Sequence, residues 1–411
     1  MQLEQGTLPL ATYRLQFNRA FGFADAAAIA PYLAKLGITH VYASPYLMAR
    51  AGSQHGYDIV AHDRLNPELG DWNSFVAMTD AFKRHGLKQI LDFVPNHMGV
   101  GGADNPLWLD VLEWGVESRY ARWFDIDWEP DHQYLRGKVL MPFLGDQYGI
   151  ELERGKLVLK FDAQAGEFAV WAYDVHKLPI CPLHYESILG DDDPNLEWIG
   201  DDFSALLEWR PQVALRADEL KQKLSALVAQ DENIQRAVNA RVDALNAHHR
   251  ENDGRHELHA LIQKQHWRIS DYRVAGDDIN YRRFFNINDL AGIRVELPDV
   301  FEHVHRYVIS LMKDGYIDGL RIDHIDGLID PAAYLKRLRN TQSTEGVSNH
   351  SYLVVEKILS GDEQLRSDWP VHGTTGYDFC NLVLGALIDP LGEIALSQCY
   401  AGFTGSHEPF N

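Results

Sequence analysis

Cysteine is almost missing from this sequence. Three occur, Cys181, Cys380 and Cys399, widely spaced and odd in number, which excludes a disulfide framework and a clustered cysteine metal site and leaves an expectation of buried thiols. Long apolar runs are missing as well: nothing approaches the roughly 20 residues that a membrane-spanning helix needs. The opening MQLEQGTLPLATYRLQF has no basic segment followed by an apolar one, so no secretory signal is read and a cytoplasmic location is expected. Positive charge is scarce too. Lys and Arg number 38 against 59 Asp and Glu, a net −21, which repels polyphosphates and anionic lipid. Nucleic acid and membrane surfaces are therefore poor partners, and neutral substrates stay open. No repeat or low-complexity tract appears.

What is present is an ordinary globular composition, 45% apolar and 24% charged over 411 residues. That length allows two to three domains, or one β/α barrel with insertions. ATYRLQF (11–17) reads as a strand and FADAAAIAPYLAKLG as a helix ended by Gly37. THVYASP (39–45) is a second strand, followed by a polar loop containing HGYDIVAHD and a helix, DWNSFVAMTDAFKRHG, closing near Gly86. KQILDFVPNH (88–97) is a third strand, stopped by Pro95. Strands alternating with helices predict a parallel sheet with right-handed crossovers. From about Met98 to Leu290 the rhythm breaks: aromatic and Gly/Pro-rich at first, then a charged helical tract from Arg210 to Trp267. This is far longer than the roughly 2 to 6 residues usual for a βα loop and reads as an inserted subdomain. The expected organisation is barrel 1–97, insertion 98–290 and barrel again 291–411. The alternation resumes with a helix at PDVFEHVHRYVISLMKDGY, a strand at GLRIDHIDGL (319–328), a helix near Pro331–Arg339 and a strand at YLVVEKIL (352–359). Five strands are counted, with a sixth near Val371.

GLRIDHIDGL carries the chemistry. Side chains alternate faces along a strand, so Leu320 and Ile322 face one way while Gly319, Arg321 and Asp323 face the other. In the next strand Leu353 and Val355 face outward, with Tyr352, Val354 and Glu356 inward. Two inward carboxylates at the C-terminal ends of successive parallel strands stand where barrel enzymes keep their chemistry. Such a pair suits glycosidic-bond cleavage, one carboxylate attacking the anomeric carbon and the other protonating the leaving oxygen. Arg321, two residues back, is expected to keep Asp323 ionised as a nucleophile, and the apolar LVV before Glu356 to raise that carboxyl toward a general acid. Spacing alone equally allows a structural Arg321–Asp323 ion pair with an incidental Glu356. Asp92, Asn96 and His97 end the third strand. Imidazole and amide groups there could bond sugar hydroxyls, or His97 could be a satisfied structural residue. Tyr57, beside Asp58, could stack on a sugar or fill the core of a turn.

DFVPNH, GLRIDHID and the Glu356 strand, in this order, resemble the first three signature regions of the alpha-amylase superfamily of retaining glycosidases and transglycosidases. NPLWLDVLEWGVESRYARWFDIDW, INYRRFFNINDLAGIRVE, the DHIDGL continuation and GTTGYDF resemble the branch that turns the reducing-end α-1,4 linkage of a maltooligosaccharide into an α,α-1,1 linkage. The likeness runs over essentially the whole chain. It implies an α/β fold, a (β/α)8 TIM barrel of the alpha-amylase type with a large insertion after strand 3. It implies Asp323 as nucleophile and Glu356 as acid/base, with Tyr57, Asp58, Asp92, Asn96, His97, Arg321 and His324 around the substrate. An α-glucan hydrolase of the same superfamily, or an inactive glucan-binding fragment, are the alternatives. The superfamily's fourth region, a His-Asp pair, and the last strands have no counterpart after Glu356. The barrel is therefore expected to be incomplete at the C-terminus, with an open edge through which chains could associate. HELH (His256–His259) lacks the i,i+4 spacing of a zinc helix, no calcium ligand set is legible, and no cofactor is expected.

Overall fold

The computed structural model of the chain describes residues 8–190, 193–209, 212–247, 257–348 and 351–408. Arg210 and His256, named above, lie outside the described residues. Five strands, β1 (Thr12–Leu15), β2 (His40–Ala43), β3 (Lys88–Phe93), β4 (Gly319–Ile322) and β5 (Tyr352–Val355), lie side by side in chain order, and every neighbouring pair is parallel. The helices between them follow from caps and apolar spacing. In α1 (Phe23–Lys35), Phe23, Ala26, Ala30 and Leu33 form one buried stripe, and Gly37 at φ +85° ends the run. In α2 (Trp72–Arg84), the Asp71 carboxylate accepts the Ser74 N–H at 2.8 Å. α3 (Pro298–Lys313) and α4 (Pro331–Thr344) both start on proline, where no N–H is needed, and the Asp330 carboxylate caps α4 by accepting the Ala333 N–H.

The sheet has two chemically distinct faces. Val41, Ala43, Leu91, Phe93, Leu320, Ile322, Leu353 and Val355 are at most 1% exposed and belong to the apolar core. The alternate residues Arg14, Tyr42, Asp92 and Arg321 share the opposite face, and the register sets Arg321 opposite Asp92 on one side and Val354 on the other. Among the described residues the sheet does not close: β1 and β5 are its two ends. The sixth strand expected near Val371 reduces to one parallel bridge, Val355 to Thr374, because Pro370 and Gly373 (φ +152°) interrupt the segment.

Other expectations shift in detail. Part of the HGYDIVAHD loop is a strand, Ile59–Leu65, paired antiparallel with Leu47–Ala49. KQILDF is the whole of β3; beyond Pro95, His97–Gly99 pairs antiparallel with Ile287–Gly292. That pairing brings both ends of the long excursion to one place above the sheet. Between them lie a three-stranded antiparallel sheet (157–179) and helices Val213–Gln230 and Glu232–Ala247. Inside the excursion Lys221 Nζ contacts Glu113 at 2.6 Å and Glu167 at 3.4 Å. Apolar contacts run unbroken from the sheet into this tract. His259 of the HELH stretch bonds the Tyr148 hydroxyl.

After β5 come α5 (Tyr377–Leu387) and α6 (Gly392–Thr404), neither with a buried residue. Cys380 and Cys399 are exposed on them, contrary to the expected buried thiols; only Cys181 is buried. Leu382, Leu387, Leu391 and Phe403 stand open at 74 to 91% exposure. No single helix among the described residues is long and apolar enough to cross a membrane.

Candidate active site

The C-terminal ends of β3, β4 and β5 place Asp92, Arg321, Asp323 and Glu356 around one guanidinium. Arg321 Nη1 donates to Asp92 Oδ1 at 2.6 Å and to Asp323 Oδ1 at 2.5 Å, and Arg321 Nη2 lies 3.0 Å from Glu356 Oε1. The backbone holds the carboxylates at these heights: the Asp323 N–H donates to Phe93 O and the Glu356 N–H to Ile322 O, so the parallel ladder continues through both residues. Asp323 is 4% exposed.

A second layer forms around Asp92. Its Oδ2 accepts from Arg14 Nη1 at 2.7 Å, from the Tyr57 hydroxyl at 2.6 Å and from the Tyr42 hydroxyl at 3.1 Å. Arg14 Nη2 in turn donates to the Tyr57 oxygen. Tyr57 thus joins the site through its hydroxyl. Asp58 does not join it: its carboxylate accepts the Ser53 hydroxyl inside the 53–58 loop. Asn96 and His97 are fully buried beside the strand ends, with Asn96 Oδ1 accepting from Arg282 Nη1 at 2.7 Å. His324 follows Asp323 in the left-handed region at φ +47°, a turn that aims its N–H at Glu356 Oε2, 2.9 Å away. A side chain at Gly327 would collide with the His324 ring and Asn96 Oδ1.

The electrostatics reverse the expectation from sequence. Burial pushes Asp323 up to about 7; Arg321 pulls against it, while Asp92 and Glu356 push with it. Burial also works to raise Glu356, but Arg321, the His324 N–H and the Tyr377 hydroxyl outweigh it and hold that carboxyl below its ordinary value. The physical reason is sharing. Arg321 and Arg14 face three carboxylates, so one negative charge is in excess, and the most buried carboxyl of the Asp323–Glu356 pair takes the proton. His97 is pushed down to about 3, first by burial and then by the nearby His324, so it is a neutral imidazole.

Three buried polar atoms at this place have no hydrogen-bond partner, Asp323 Oδ2, Arg321 Nε and His97 Nε2. Buried polar atoms are nearly always paired, and orphans gathered at these strand ends leave bonding that a polar ligand could complete. At Arg321 the inner face opens into a cavity of about 400 Å³ lined by Tyr42, Arg321, Tyr352, Thr374 and Tyr377. A carboxylate with a free oxygen, a second carboxylate on the same guanidinium and a neutral imidazole can together attack, protonate and orient a neutral polyhydroxyl compound.

Several residues of the site were not singled out from sequence. Arg14 and Tyr42 were legible, since alternation along β1 and β2 puts them on the inner face. Tyr377, whose hydroxyl donates to Glu356 Oε1 at 3.1 Å, sits in GTTGYDF. Arg282, Phe284 and Phe285 arrive on the turn before Ile287–Gly292. The Phe284 ring lies 4.6 Å from His97 and 4.7 Å from His324, and Phe285 lies 5.3 Å from His324.

The chain is similar to known proteins. The alpha amylase catalytic domain family matches residues 28–151. A putative maltooligosyl trehalose synthase of Mycobacterium tuberculosis (strain ATCC 25618 / H37Rv) is 33% identical over 398 residues, covering 94% of this chain and 40% of the relative. Among solved structures, maltooligosyltrehalose synthase from Arthrobacter ramosus superposes with a TM-score of 0.70 at 32% identity, over 98% of this chain and 42% of that one. A hypothetical maltooligosyl trehalose synthase from Sulfolobus tokodaii gives a TM-score of 0.61 at 31% identity, over 93% of this chain and 39% of that one. The chain therefore spans about 40% of the length of the curated relatives it matches, and over nearly all of its own length it is a homologue of the maltooligosyl trehalose synthases of the alpha-amylase family.

Proposed function

We propose that the protein is a retaining α-glucan glucosylmutase acting on maltooligosaccharides, with Asp323 as nucleophile and Glu356 as acid/base. The observation that carries this reading is the single guanidinium of Arg321 between the two carboxylates, with Asp323 Oδ2 left unpartnered. In the first step Asp323 attacks the anomeric carbon of the penultimate sugar, and the bond to the reducing-end glucose breaks as Glu356 gives its oxygen a proton. In the second step the anomeric hydroxyl of that same glucose attacks the glycosyl ester, Glu356 takes its proton, and an α,α-1,1 linkage replaces the α-1,4 one. One proton suffices for the pair, and the excess negative charge of the cluster keeps one there near neutral pH. Before reaction it must move from Asp323 to Glu356, a shift that a sugar hydroxyl bonded to Asp323 Oδ2 would favour by stabilising the carboxylate. Tyr57, Asp92, Asn96 and His97 would hold the transferred sugar and His324 the substrate beside Glu356, and Asp58 would act only through the loop that carries Tyr57. The same proposal takes the five strands as part of an alpha-amylase-type barrel and residues 98–290 as its insertion after the third strand.

The test is incubation with maltopentaose, reading the products by NMR. A non-reducing pentasaccharide with an α,α-1,1 linkage is the expected product. Glucose and maltotetraose alone would make the protein a hydrolase, with water resolving the ester. No turnover despite maltopentaose binding would leave a glucan-binding protein.

A further inference from the structure

Four non-glycine residues among those described have positive φ, and two of them touch each other at the candidate site: His324 at +47° and Phe285 at +49°. The strain at His324 is accounted for, since it aims an N–H at Glu356. Phe285 has no such bond to explain it. It is the first of the two turn residues joining Phe284 to Ile287, a position with positive φ where tight hairpins take glycine, asparagine or aspartate. A bulky side chain there is strained, and this one is also 72% exposed. Neither folding nor burial favours phenylalanine at that point. The turn is nonetheless held firmly: Arg282 binds Asn96 Oδ1, Ile293 O and Asp125, and Arg283 Nη1 binds Asn288 Oδ1. The Phe284 ring meets Phe285 edge to face, at 4.6 Å and 82°, and so buttresses it.

We propose that Phe285 is the platform for the glucose released in the first step, and that it sets the ratio of isomerisation to hydrolysis. This rests on the transglucosylation reading above. The placement argues for that sugar over the transferred one. Phe285 packs on the ring of His324, whose N–H holds Glu356, so Phe285 flanks the acid that protonates the leaving oxygen. Tyr57 binds Asp92, across the Arg321 guanidinium from Glu356. A freed glucose is small and strongly hydrated. To return through a different hydroxyl it must stay while it turns. An exposed aromatic face offers apolar contact to the C–H face of the sugar without fixing which hydroxyl points at the ester, which a hydrogen bond would do. The second step then balances as before: the C1 hydroxyl oxygen bonds to the anomeric carbon, the bond to Asp323 breaks, and the proton goes to Glu356.

The test compares wild type with Phe285→Gly and Phe285→Trp. Glycine relieves the strain and removes the face; tryptophan keeps a face. With maltopentaose, F285G is expected to raise the ratio of free glucose to non-reducing product about tenfold, and F285W to stay within about threefold of wild type. Maltosyl fluoride, which carries no sugar on the Glu356 side, is the reference: its hydrolysis should change at least about fivefold less than the product ratio. F285G should also melt at least about 2 °C above wild type, showing that it folds and that strain has been released. An unchanged product ratio in folded F285G overturns the proposal. If wild type forms no non-reducing product, the transglucosylation reading fails by itself, and the platform is then judged by glucose and maltopentaose binding, followed by saturation-transfer NMR. An approximately tenfold weaker Kd in F285G supports it, and an equal Kd overturns it.

Discussion

Lys221 and Arg321 are both buried, their side chains 6% exposed, and both are shared among carboxylates. Lys221 meets Glu113 and Glu167 inside the excursion; Arg321 meets Asp92, Asp323 and Glu356 at the strand ends. Among the described residues, the buried polar atoms lacking a partner include Arg321 Nε and Asp323 Oδ2 but none from Lys221, Glu113 or Glu167. The first cluster is complete in the protein alone. The second is over-supplied with carboxylates and short of partners. This separates a structural ion pair from a site: the spacing of Arg321 and Asp323 allows both, and the bonding left unmade favours the site.

The comparison makes opposite demands of the two clusters. The largest expected effect is on rate at Arg321: Asp323→Asn keeps the shape but cannot form the ester, so turnover of maltopentaose should fall by about 10⁴-fold or more while the circular dichroism spectrum is kept. Near-normal turnover would put Asp323 with the structural pairs. Glu356→Gln should lose about 10² to 10⁴-fold on maltopentaose but far less on maltosyl fluoride, whose leaving group needs no proton. Equal losses on both substrates would remove the acid role. At the other cluster the effect moves from rate to stability. Lys221→Ala leaves the buried Glu113 carboxylate without its cation, while Glu167 keeps Lys177, and should cost about 3 to 5 kcal/mol in denaturant unfolding, with the rate per folded molecule within about twofold of wild type. A rate loss larger than the stability loss would erase the distinction.

Smaller effects sharpen it. The pair must hold one proton for Glu356 to give, and that proton sits on a carboxyl pushed up to about 7, so kcat/KM should fall as pH rises through about 7, where ordinary carboxylates would already have lost theirs near 4. Linkage gives the matching stability change. Native Asp323 holds its proton more tightly than the unfolded chain does, so its contribution is full below pH 4, falls as pH rises and is gone above about 7. Asp323→Asn should therefore match wild type in Tm at pH 4 and exceed it by about 2 to 4 °C at pH 8. A lower Tm at pH 8 would mean that the Arg321 contact outweighs the crowding of charge.

How much of this was readable in advance depends on the range of each signal. Period-two alternation is local, so the inward set of β4 and β5 was legible, and Arg14 and Tyr42 carried the same signal in β1 and β2. Charge is not local. Arg321 reads as the private partner of Asp323 because it is two residues away, yet its guanidinium also serves Asp92 on β3 and Glu356 on β5. The LVV run before Glu356 reads as apolar surroundings, yet Leu353 and Val355 point to the other face. Asp58 reads as a neighbour of Tyr57, yet Ser53 takes its carboxylate. The Phe285 turn could not be placed at all from spacing, because the pairing of Ile287–Gly292 with His97–Gly99 closes an excursion of about 190 residues.

The central claim, that Asp323 forms a covalent bond to the sugar while Glu356 stays free to move the proton, has one direct measurement. A 5-fluoro maltosyl fluoride forms the glycosyl ester faster than it loses it, and peptide mass spectrometry after brief incubation locates the label. The account predicts a single glycosyl label on Asp323, absent from Asp323→Asn and slow to form in Arg321→Lys, whose ammonium cannot bridge the carboxylates. A label on Glu356 or Asp92, or consumption of the reagent with no label on the protein, would contradict it.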